Sequence, residues 1–237
     1  MPKFSIITSA YNQLDQLKRL RKHLDQQTFE DFEWIVADDG SSDGTEKWAN
    51  KNADKYVRQE DMGYRLTKIF NKACFEASGE FLVWIMGDSY PYKDFLEKIN
   101  DHVDENVMLT GIRMNVDNEG RIVGQDWRLK GIDTTKMDYL PIKSEHPWGY
   151  MTLNTMVMAR SKFEEMGGID SGYDDGYGKM DWWMAAWSHY NKMRFGWVLD
   201  AMVFHEVHKE REDTDNNTKL FYKHIEEFEK DKNANSS

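Results

Sequence analysis

Over the first hundred residues, short apolar segments alternate with helical patterns, and this alternation constrains the fold more than any other feature of the sequence. The segments have the length and the β-branched content of strands, and they cover residues 4–8, 33–37, 55–58 and 81–86. Helical patterns lie between them, including a short predicted helix over residues 45–52 and, most clearly, apolar residues at helical spacing from Leu66 to Ala77. Because strands separated by single helices require right-handed crossovers, we expect an α/β fold with a mostly parallel central sheet flanked by helices.

The second half of the chain has a mixed pattern. It predicts strands over residues 107–114, 152–158 and 198–204, a hairpin around Gly120 and Gly124, and irregular structure over residues 127–150. A tryptophan-rich helix follows residues 176–181. Apolar residues 220, 221, 225 and 228 then predict a C-terminal amphipathic helix, followed by a polar tail that we expect to be disordered.

The sequence has no repeat and no linker, which favours a single domain over residues 1–237. Within it we expect two functional halves, over residues 1–90 and 91–208, and a C-terminal helix with its polar tail (209–237).

Composition excludes several classes of function. The net charge of −11 argues against the broad basic surface of a general nucleic-acid-binding protein. Cys74 is the single cysteine and lies on the apolar side of a predicted helix, which indicates a core residue rather than a disulfide or a multi-cysteine metal site. With no signal peptide and no apolar stretch of ~18–20 residues, a cytoplasmic protein is expected, and the sequons at Asn216 and Asn235 then carry little weight.

Polar clusters follow the first, second and fourth predicted strands, at residues 8–12, 38–45 and 86–89, where ligands bind in parallel sheets. A fourth cluster covers residues 176–181, ahead of the tryptophan-rich helix, together with residues 202–208. In this order they resemble glycosyltransferase family 2 of the GT-A fold, and the second half is similar to a galactosyltransferase-type C-terminal segment. The resemblance covers roughly residues 3–208. It implies an inverting transfer of a sugar from a nucleotide-diphosphate donor, with a UDP-sugar favoured, to an acceptor hydroxyl.

For the donor base, the resemblance implies that Thr8 and Tyr11 line the site and that Asp39 accepts a hydrogen bond from the ring. A flat ring needs a stacking partner, and a carboxylate is a strong acceptor for a ring N–H. The alternative is that Asp38 and Asp39 form an Asx turn and cap the helix that begins at Thr45.

Arg65 stands where the family places an arginine near the donor diphosphate, at a helix start that suits this task. A surface pair with Glu60 or Asp61 is the alternative. Asn71 falls where the family often has a polar residue facing the site.

For the metal, the resemblance implies that Asp88 binds Mn²⁺ or Mg²⁺ as the last residue of an Asp-x-Asp motif. Met86 replaces the first aspartate, and a thioether is a poor ligand for these ions. His205 occupies the family's metal-binding histidine position, and His208 is a further candidate. The alternative is that both histidines face solvent or end a strand without binding metal.

The segment Gly-Tyr-Gly-Lys-Met-Asp resembles the family's Gly-Trp-Gly-Gly-Glu-Asp, which implies that Asp181 is the catalytic base. Met180 replaces the glutamate that often contacts the acceptor. A carboxylate favoured by the helix dipole is the structural alternative for Asp181. Trp148 and Tyr177 are the candidate acceptor platforms, although most of the aromatic residues in this half are expected in the core.

Two rival functions stay open. A nucleotidyltransferase on a related fold usually carries a glycine- and lysine-rich loop after the first strand, which residues 9–13 do not provide. A catalytically silent carbohydrate- or nucleotide-sugar-binding protein is compatible with Met86 and Met180. The acceptor, the sugar and the oligomeric state are not specified by the sequence.

Overall fold

The computed structural model describes residues 1–133, 136–208 and 214–234. Its strands are β1 (Phe4–Ala10), β2 (Phe32–Asp38), β3 (Lys55–Arg58), β4 (Phe81–Trp84), β5 (Ser89–Pro91), β6 (Val107–Val116), β7 (Ile122–Gln125), β8 (Tyr139–Pro141), β9 (Met156–Ala159) and β10 (Arg194–Glu206). Its α-helices are α1 (Leu14–Leu24), α2 (Thr45–Asn52), α3 (Leu66–Glu76), α4 (Phe95–Asn100), α5 (Arg160–Met166), α6 (Met180–Tyr190) and α7 (Asp215–Ala234). Three short 3-10 helices cover Trp127–Leu129, Pro147–Tyr150 and Ser171–Asp175.

All ten strands of the described residues form one sheet in the order β3-β2-β1-β4-β9-β6-β10-β5, with β7 on β6 and β8 on β10. Strands β3, β2, β1 and β4 are parallel, as are β6 and β10, whereas β9 runs antiparallel between β4 and β6. The predicted α/β architecture, with a mostly parallel central sheet and a C-terminal helix, is therefore confirmed.

In the first half, the predicted bounds of α2 and β3 are confirmed. Strand β4 ends at Trp84, two residues before the predicted end at Met86. The amide of Ile85 still donates to the carbonyl of Ile7 (3.1 Å), but the amide of Ser89 then donates to the carbonyl of Met86 (3.0 Å) and the chain turns. That turn brings Asp88 back towards the sheet.

In the second half, two strand predictions are wrong at their amino ends. Residues 152–155 form a turn, closed by the Thr155 amide on the Thr152 carbonyl (3.1 Å), so β9 begins only at Met156. Strand β10 begins at Arg194, four residues before the predicted start at Val198, because it pairs with the whole length of β6. These pairings join segments that are distant in sequence, which local patterns cannot show.

The predicted hairpin is confirmed, since β6 pairs antiparallel with β7, with Gly120 in its turn and Gly124 in β7. Other details of the second half differ from the expectation, because residues 127–150 contain two 3-10 helices and β8. Helix α7 continues through the segment predicted as a disordered tail, up to Ala234. Asn235 lies outside the described residues.

The core forms two layers, one on each face of the sheet. One layer packs α3, α5, α6 and α7 against the sheet and includes Trp84, Phe163 and Phe221. The other lies under α1, α2 and α4 and includes Trp34 and Phe95. Cys74 is fully buried in the first layer, which confirms it as a core residue. No helix within the described ranges is long and apolar enough to cross a membrane.

Candidate active site

A cavity of about 930 Å³ opens at the carboxyl ends of β1, β2 and β4, beside the end of β10. It is the place where a parallel sheet is expected to bind ligands. The lining residues used below are Ser9, Tyr11, Asp39, Met86, Asp88, Arg113, Asn154, Tyr177, Lys179, Asp181, Trp182, His205 and His208. Residues from every predicted polar cluster therefore meet in one cavity.

Asp88, His205 and His208 form a compact group of metal-binding side chains. One potential ligand atom from each lies within 4.8 Å of the others. The Asp88 Oδ2 atom is 3.1 Å from Nε2 of His208 and 3.7 Å from Nε2 of His205. A carboxylate and two imidazoles form a donor set that suits a divalent ion such as Mn²⁺.

Sheet pairing explains how residues so distant in sequence come together. Strand β5 pairs antiparallel with β10, which places Ser89 opposite His205. The amide of Glu206 also donates to the carbonyl of Asp88 (3.0 Å). Because these backbone bonds fix the turn after β4 against the end of β10, the carboxylate and the imidazoles are held close together before any ligand binds.

Asp88 carries its charge in a largely buried position. Burial alone would raise its pKa, but the hydrogen bond with His208, the nearby His205 and the hydroxyl of Ser89 hold the pKa below its ordinary value. The site therefore favours the ionised carboxylate, which is the form that binds a cation.

Met86 places a thioether in the cavity where the family motif has its first carboxylate. The hydroxyl of Ser9 donates to its Sδ atom at 3.7 Å. The following Gly87 lies so close to β1 that a Cβ there would be 2.7 Å from the carbonyl oxygen of Ser9. The turn is therefore tightly packed, and Asp88 is the carboxylate that this motif contributes to the cavity.

The two aspartates after β2 have different environments. Asp38 is fully buried, and it accepts hydrogen bonds from the amide (2.8 Å) and hydroxyl (2.6 Å) of Ser41 and from Tyr56 (2.5 Å). It is the turn residue. Asp39 lines the cavity and accepts from Gln59 (2.5 Å) and from the backbone amide of Arg65 (3.0 Å).

Neither aspartate caps the helix that follows. The side chain of Asp43 accepts from the amide of Thr45 at 3.1 Å, which gives α2 its N-terminal acceptor. Tyr11 is half exposed at the cavity mouth, and its hydroxyl donates to Asp61 at 3.0 Å. Asp39 and Tyr11 thus both line the cavity.

Three predicted site residues do not line the cavity. Thr8 is fully buried in β1, where its hydroxyl accepts from the indole N–H of Trp34 at 3.0 Å. The guanidinium of Arg65 donates to the carbonyl of Glu60. Trp148 is only 8% exposed and packs edge-to-face against Phe221. The alternation of side chains along β1 explains Thr8, because its neighbour Ser9 faces the cavity.

Asp181 reaches the cavity from the first turn of α6, where its Oδ1 accepts from the amide of Trp182 at 2.9 Å. Asp174, a carboxylate seven residues before Asp181, has a different role. It accepts from the amides of Thr67 (2.7 Å) and Lys68 (3.1 Å) and so caps α3. Asp175 is not among the residues that line the cavity. Asn71 also serves the fold, since its side chain bonds both backbone groups of Ile169 at 2.7 Å.

Sequence reasoning missed two basic residues of the cavity. Lys179 has a left-handed backbone (φ 68°), and its Nζ atom lies 3.5 Å from the centre of the Trp182 ring. Arg113 lies in β6, and none of the described carboxylates forms an ion pair with its guanidinium. One signal for Arg113 was present, since a single charge interrupts an otherwise apolar predicted strand.

The sequence matches the profile of glycosyl transferase family 2 over residues 5–161. Among similar proteins, validoxylamine A glucosyltransferase of Streptomyces hygroscopicus is 37% identical over 91 residues, which is 36% of this chain and 22% of that protein. Chondroitin synthase of Escherichia coli is 31% identical over 148 residues, which is 60% of this chain and 19% of that protein. The chain thus spans about a fifth of the length of these relatives.

The crystal structure of Staphylococcus aureus TarS 1–349 in complex with UDP superposes with a TM-score of 0.68 at 23% identity, over 86% of this chain and 60% of that one. The complex of the same protein with UDP-GlcNAc gives a TM-score of 0.68 at 21% identity, over 88% of this chain and 60% of that one. The relatives are varied glycosyltransferases and the profile match ends at residue 161, so the galactosyltransferase-type segment stays a prediction. The matched profile and the shared architecture establish that this chain belongs to glycosyl transferase family 2 and has the GT-A fold.

Proposed function

We propose that the chain is a glycosyltransferase that moves a sugar from a nucleotide-diphosphate donor to an acceptor hydroxyl, with inversion and with a divalent ion. The observation that carries the proposal is the meeting of three features in one cavity. These are the Asp88–His205–His208 group, the base-binding candidates Asp39 and Tyr11, and the carboxylate of Asp181.

On the donor side, Tyr11 is the stacking partner for the base, and Asp39 accepts a hydrogen bond from its ring. UDP is the favoured nucleotide, since the similar TarS structures were solved with UDP and with UDP-GlcNAc. Residues 1–90 supply this half of the site, and residues 91–208 supply the acceptor half.

Asp88, His205 and His208 would hold Mn²⁺ or Mg²⁺. A divalent ion in this position supplies positive charge to the departing diphosphate. The two histidines must be neutral to act as ligands, and Asp88 must be ionised. The contacts around Asp88 keep it in that form, as its lowered pKa indicates.

On the acceptor side, Asp181 takes the proton from the attacking hydroxyl. Its backbone lies in the first turn of α6, and its side chain is oriented by the amide of Trp182. Tyr177 and Trp182 line the cavity on either side of Asp181 in sequence, and Tyr177 is the candidate aromatic platform for a sugar ring. The acceptor is a hydroxyl-bearing molecule such as a glycan.

A catalytically silent nucleotide-sugar-binding protein is the second candidate, and Met86 favours it. A thioether in the cavity removes one carboxylate from the motif that binds donor and metal. Donor hydrolysis without acceptor separates the two candidates, because a silent protein would bind the donor and leave it intact.

The deciding experiment is a thermal-shift screen of nucleotide sugars with and without Mn²⁺, on the wild type and on Asp88→Ala. A ligand that binds only the native state raises the Tm, so the donor identifies itself. With the wild type, we expect one class of donor to raise the Tm further when Mn²⁺ is present. With Asp88→Ala, Mn²⁺ should add nothing to the Tm shift that the donor causes. His205→Ala should give a weaker form of the same defect.

Asp31→Ala is the matched control, because this exposed carboxylate precedes β2 at the edge of the sheet opposite the cavity. It should behave as the wild type. An Asp88→Ala variant whose nucleotide binding keeps the full metal dependence would show that Asp88 does not bind the ion.

A further inference from the structure

We propose that the first turn of α7 positions the cavity loop, defined here as residues 176–179, and that Asn217 is the main positioning residue. The inference rests on the proposed function, because this loop leads directly into Asp181. The positioning residues themselves lie outside the cavity lining and beyond the segment that matches the family profile.

The cavity loop has a backbone that needs external support. Gly178 and Lys179 both have left-handed backbones, with φ of 85° and 68°. For a lysine this region is sterically unfavourable, so the conformation persists only where the surroundings impose it. The loop carries Tyr177 and Lys179 into the cavity wall, so its conformation sets the shape of the acceptor side.

Asn217 provides the first part of that support. Its side chain is completely buried, and its Nδ2 atom donates to the carbonyls of Tyr173 (3.0 Å) and Gly178 (2.9 Å). Both partners are acceptors, so the NH₂ group of the amide must face them. The one side chain therefore ties the backbone before the cavity loop to the backbone within it.

Thr214 provides the second part. Its backbone amide donates to the carbonyl of Tyr177 (3.0 Å), and its hydroxyl accepts from the amide of Tyr177 (3.1 Å). Both backbone groups of Tyr177 are thus bonded to one residue. Gly176 makes the approach possible, since a Cβ there would lie 2.0 Å from the Thr214 hydroxyl and 2.7 Å from Asn217 Oδ1.

Packing alone does not require polar residues at these positions. Helix α7 is held to the body of the protein by apolar contacts, with Phe221 fully buried against Trp148 and Trp182. A buried N–H donor is favourable only when its hydrogen bond is made, and both N–H donors of Asn217 have acceptors, whereas its Oδ1 atom has no hydrogen-bond partner among the described residues. The bonds of Asn217 go to the backbone of the cavity loop and its approach, so we infer that this residue fixes the loop.

The test is hydrogen exchange of the wild type, Asn217→Leu and Thr214→Val, read in a peptide that covers residues 176–182. Asn217→Leu keeps the volume and removes the donors, and Thr214→Val removes the acceptor of the Tyr177 amide. We expect at least a tenfold faster exchange in this peptide, with unchanged exchange in β1 and β4. Asn216→Leu, at an exposed position of the same turn, is the matched control and should leave exchange unchanged.

Steady-state kinetics supply the second measurement. A loosened loop should lower kcat for transfer about tenfold or more while the KM for the donor stays within about twofold, because the donor half is untouched. If both variants exchange like the wild type in this peptide, or if exchange rises equally throughout the protein, the positioning role is wrong. If hydrogen exchange in this peptide responds to the variants as expected but the wild-type protein transfers no sugar, the result would instead contradict the proposed function.

Discussion

Two explanations account for the position of Asp181. It is the proposed catalytic base, and a carboxylate in the first turn of a helix is also favoured by the helix dipole. The explanations differ in which quantity changes on substitution. Asp181→Asn keeps the size and the bond to the Trp182 amide but cannot take a proton. We expect donor binding within a few-fold of the wild type and transfer lowered by at least about a hundredfold, measured as kcat with donor and acceptor in excess.

Asp174→Asn is the matched control for that substitution. Asp174 caps α3 by accepting from one backbone amide with each of its two oxygens, and an asparagine keeps only one of these acceptors, so the substitution should lower the free energy of unfolding by about 1 kcal/mol and change transfer only slightly. Near wild-type transfer by Asp181→Asn would mean that another group is the base.

Arg113 and Arg65 give a second comparison at the residue scale. Arg113 lines the cavity, whereas the guanidinium of Arg65 bonds the carbonyl of Glu60. In β6, Arg113 is two residues from Asn115, which pairs with His205, so Arg113 and Asn115 share a face of the sheet. We expect Arg113→Gln to weaken UDP binding about tenfold in calorimetry with Mn²⁺ and to leave uridine binding unchanged.

Arg65→Gln should bind UDP within about threefold of the wild type, because its side chain lies outside the cavity lining. If Arg65→Gln weakens UDP binding and Arg113→Gln does not, then Arg65 contacts the diphosphate and Arg113 does not.

At the scale of elements, a buried ion pair anchors the segment between β7 and β8 to the sheet. The side chains of Arg128 and Asp126 are 4% and 0% exposed, and they bond each other directly. Arg128 also donates to the Thr110 hydroxyl (3.3 Å) and stacks over Trp197 at 5.1 Å. Asp126 accepts from the amide of Arg113 at 3.2 Å, which links this anchor to the cavity wall.

Removing one partner of this pair should be costly. Arg128→Met leaves the Asp126 carboxylate buried without its counter-charge, and we expect a loss of about 3–5 kcal/mol in the free energy of unfolding by urea. Arg121→Met breaks an exposed pair with Asp117 and should cost less than about 1 kcal/mol. Equal effects of the two substitutions would show that the buried pair is not an anchor.

At the scale of the whole molecule, Glu33 joins three elements at the sheet edge opposite the cavity. It accepts from Ser5 of β1 (2.5 Å), from the amide (2.6 Å) and hydroxyl (2.8 Å) of Ser78, and it pairs with Lys55 of β3 (2.9 Å). Burial would raise its pKa, but these bonds lower the pKa from 4.5 to about 2. A carboxylate with a lowered pKa stabilises the fold above its unfolded pKa, and this stability is lost as the pH falls through its folded pKa.

We therefore expect Glu33 to contribute about 3 kcal/mol at neutral pH and to lose this contribution between pH 4.5 and about 2. Urea unfolding as a function of pH should show a smaller decline over that range for Glu33→Gln than for the wild type. Glu30→Gln, at an exposed position, should keep the wild-type slope. A Glu33→Gln profile parallel to the wild type would mean that Glu33 does not control acid stability.

Much of the fold was predictable because its first half is encoded locally. Buried strands and amphipathic helices each leave a periodic pattern, and the bounds of α2 and β3 were predicted to the residue. The second half depends on pairings between distant segments, such as β10 with β6, so the starts of β9 and β10 were predicted wrongly. No local pattern reports a partner that lies far along the chain.

The sequence by itself determined which polar clusters follow strands, and hence that Asp39, Asp88, His205 and His208 would gather at one end of the strands, whereas Asp181 was assigned to the site by the family resemblance. It could not determine which way each neighbouring side chain points. Thr8 faces Trp34, and Arg65 bonds its own loop, whereas Arg113 lines the cavity. The tertiary structure decided these positions, because side-chain direction depends on the register and packing of elements that are far apart in sequence.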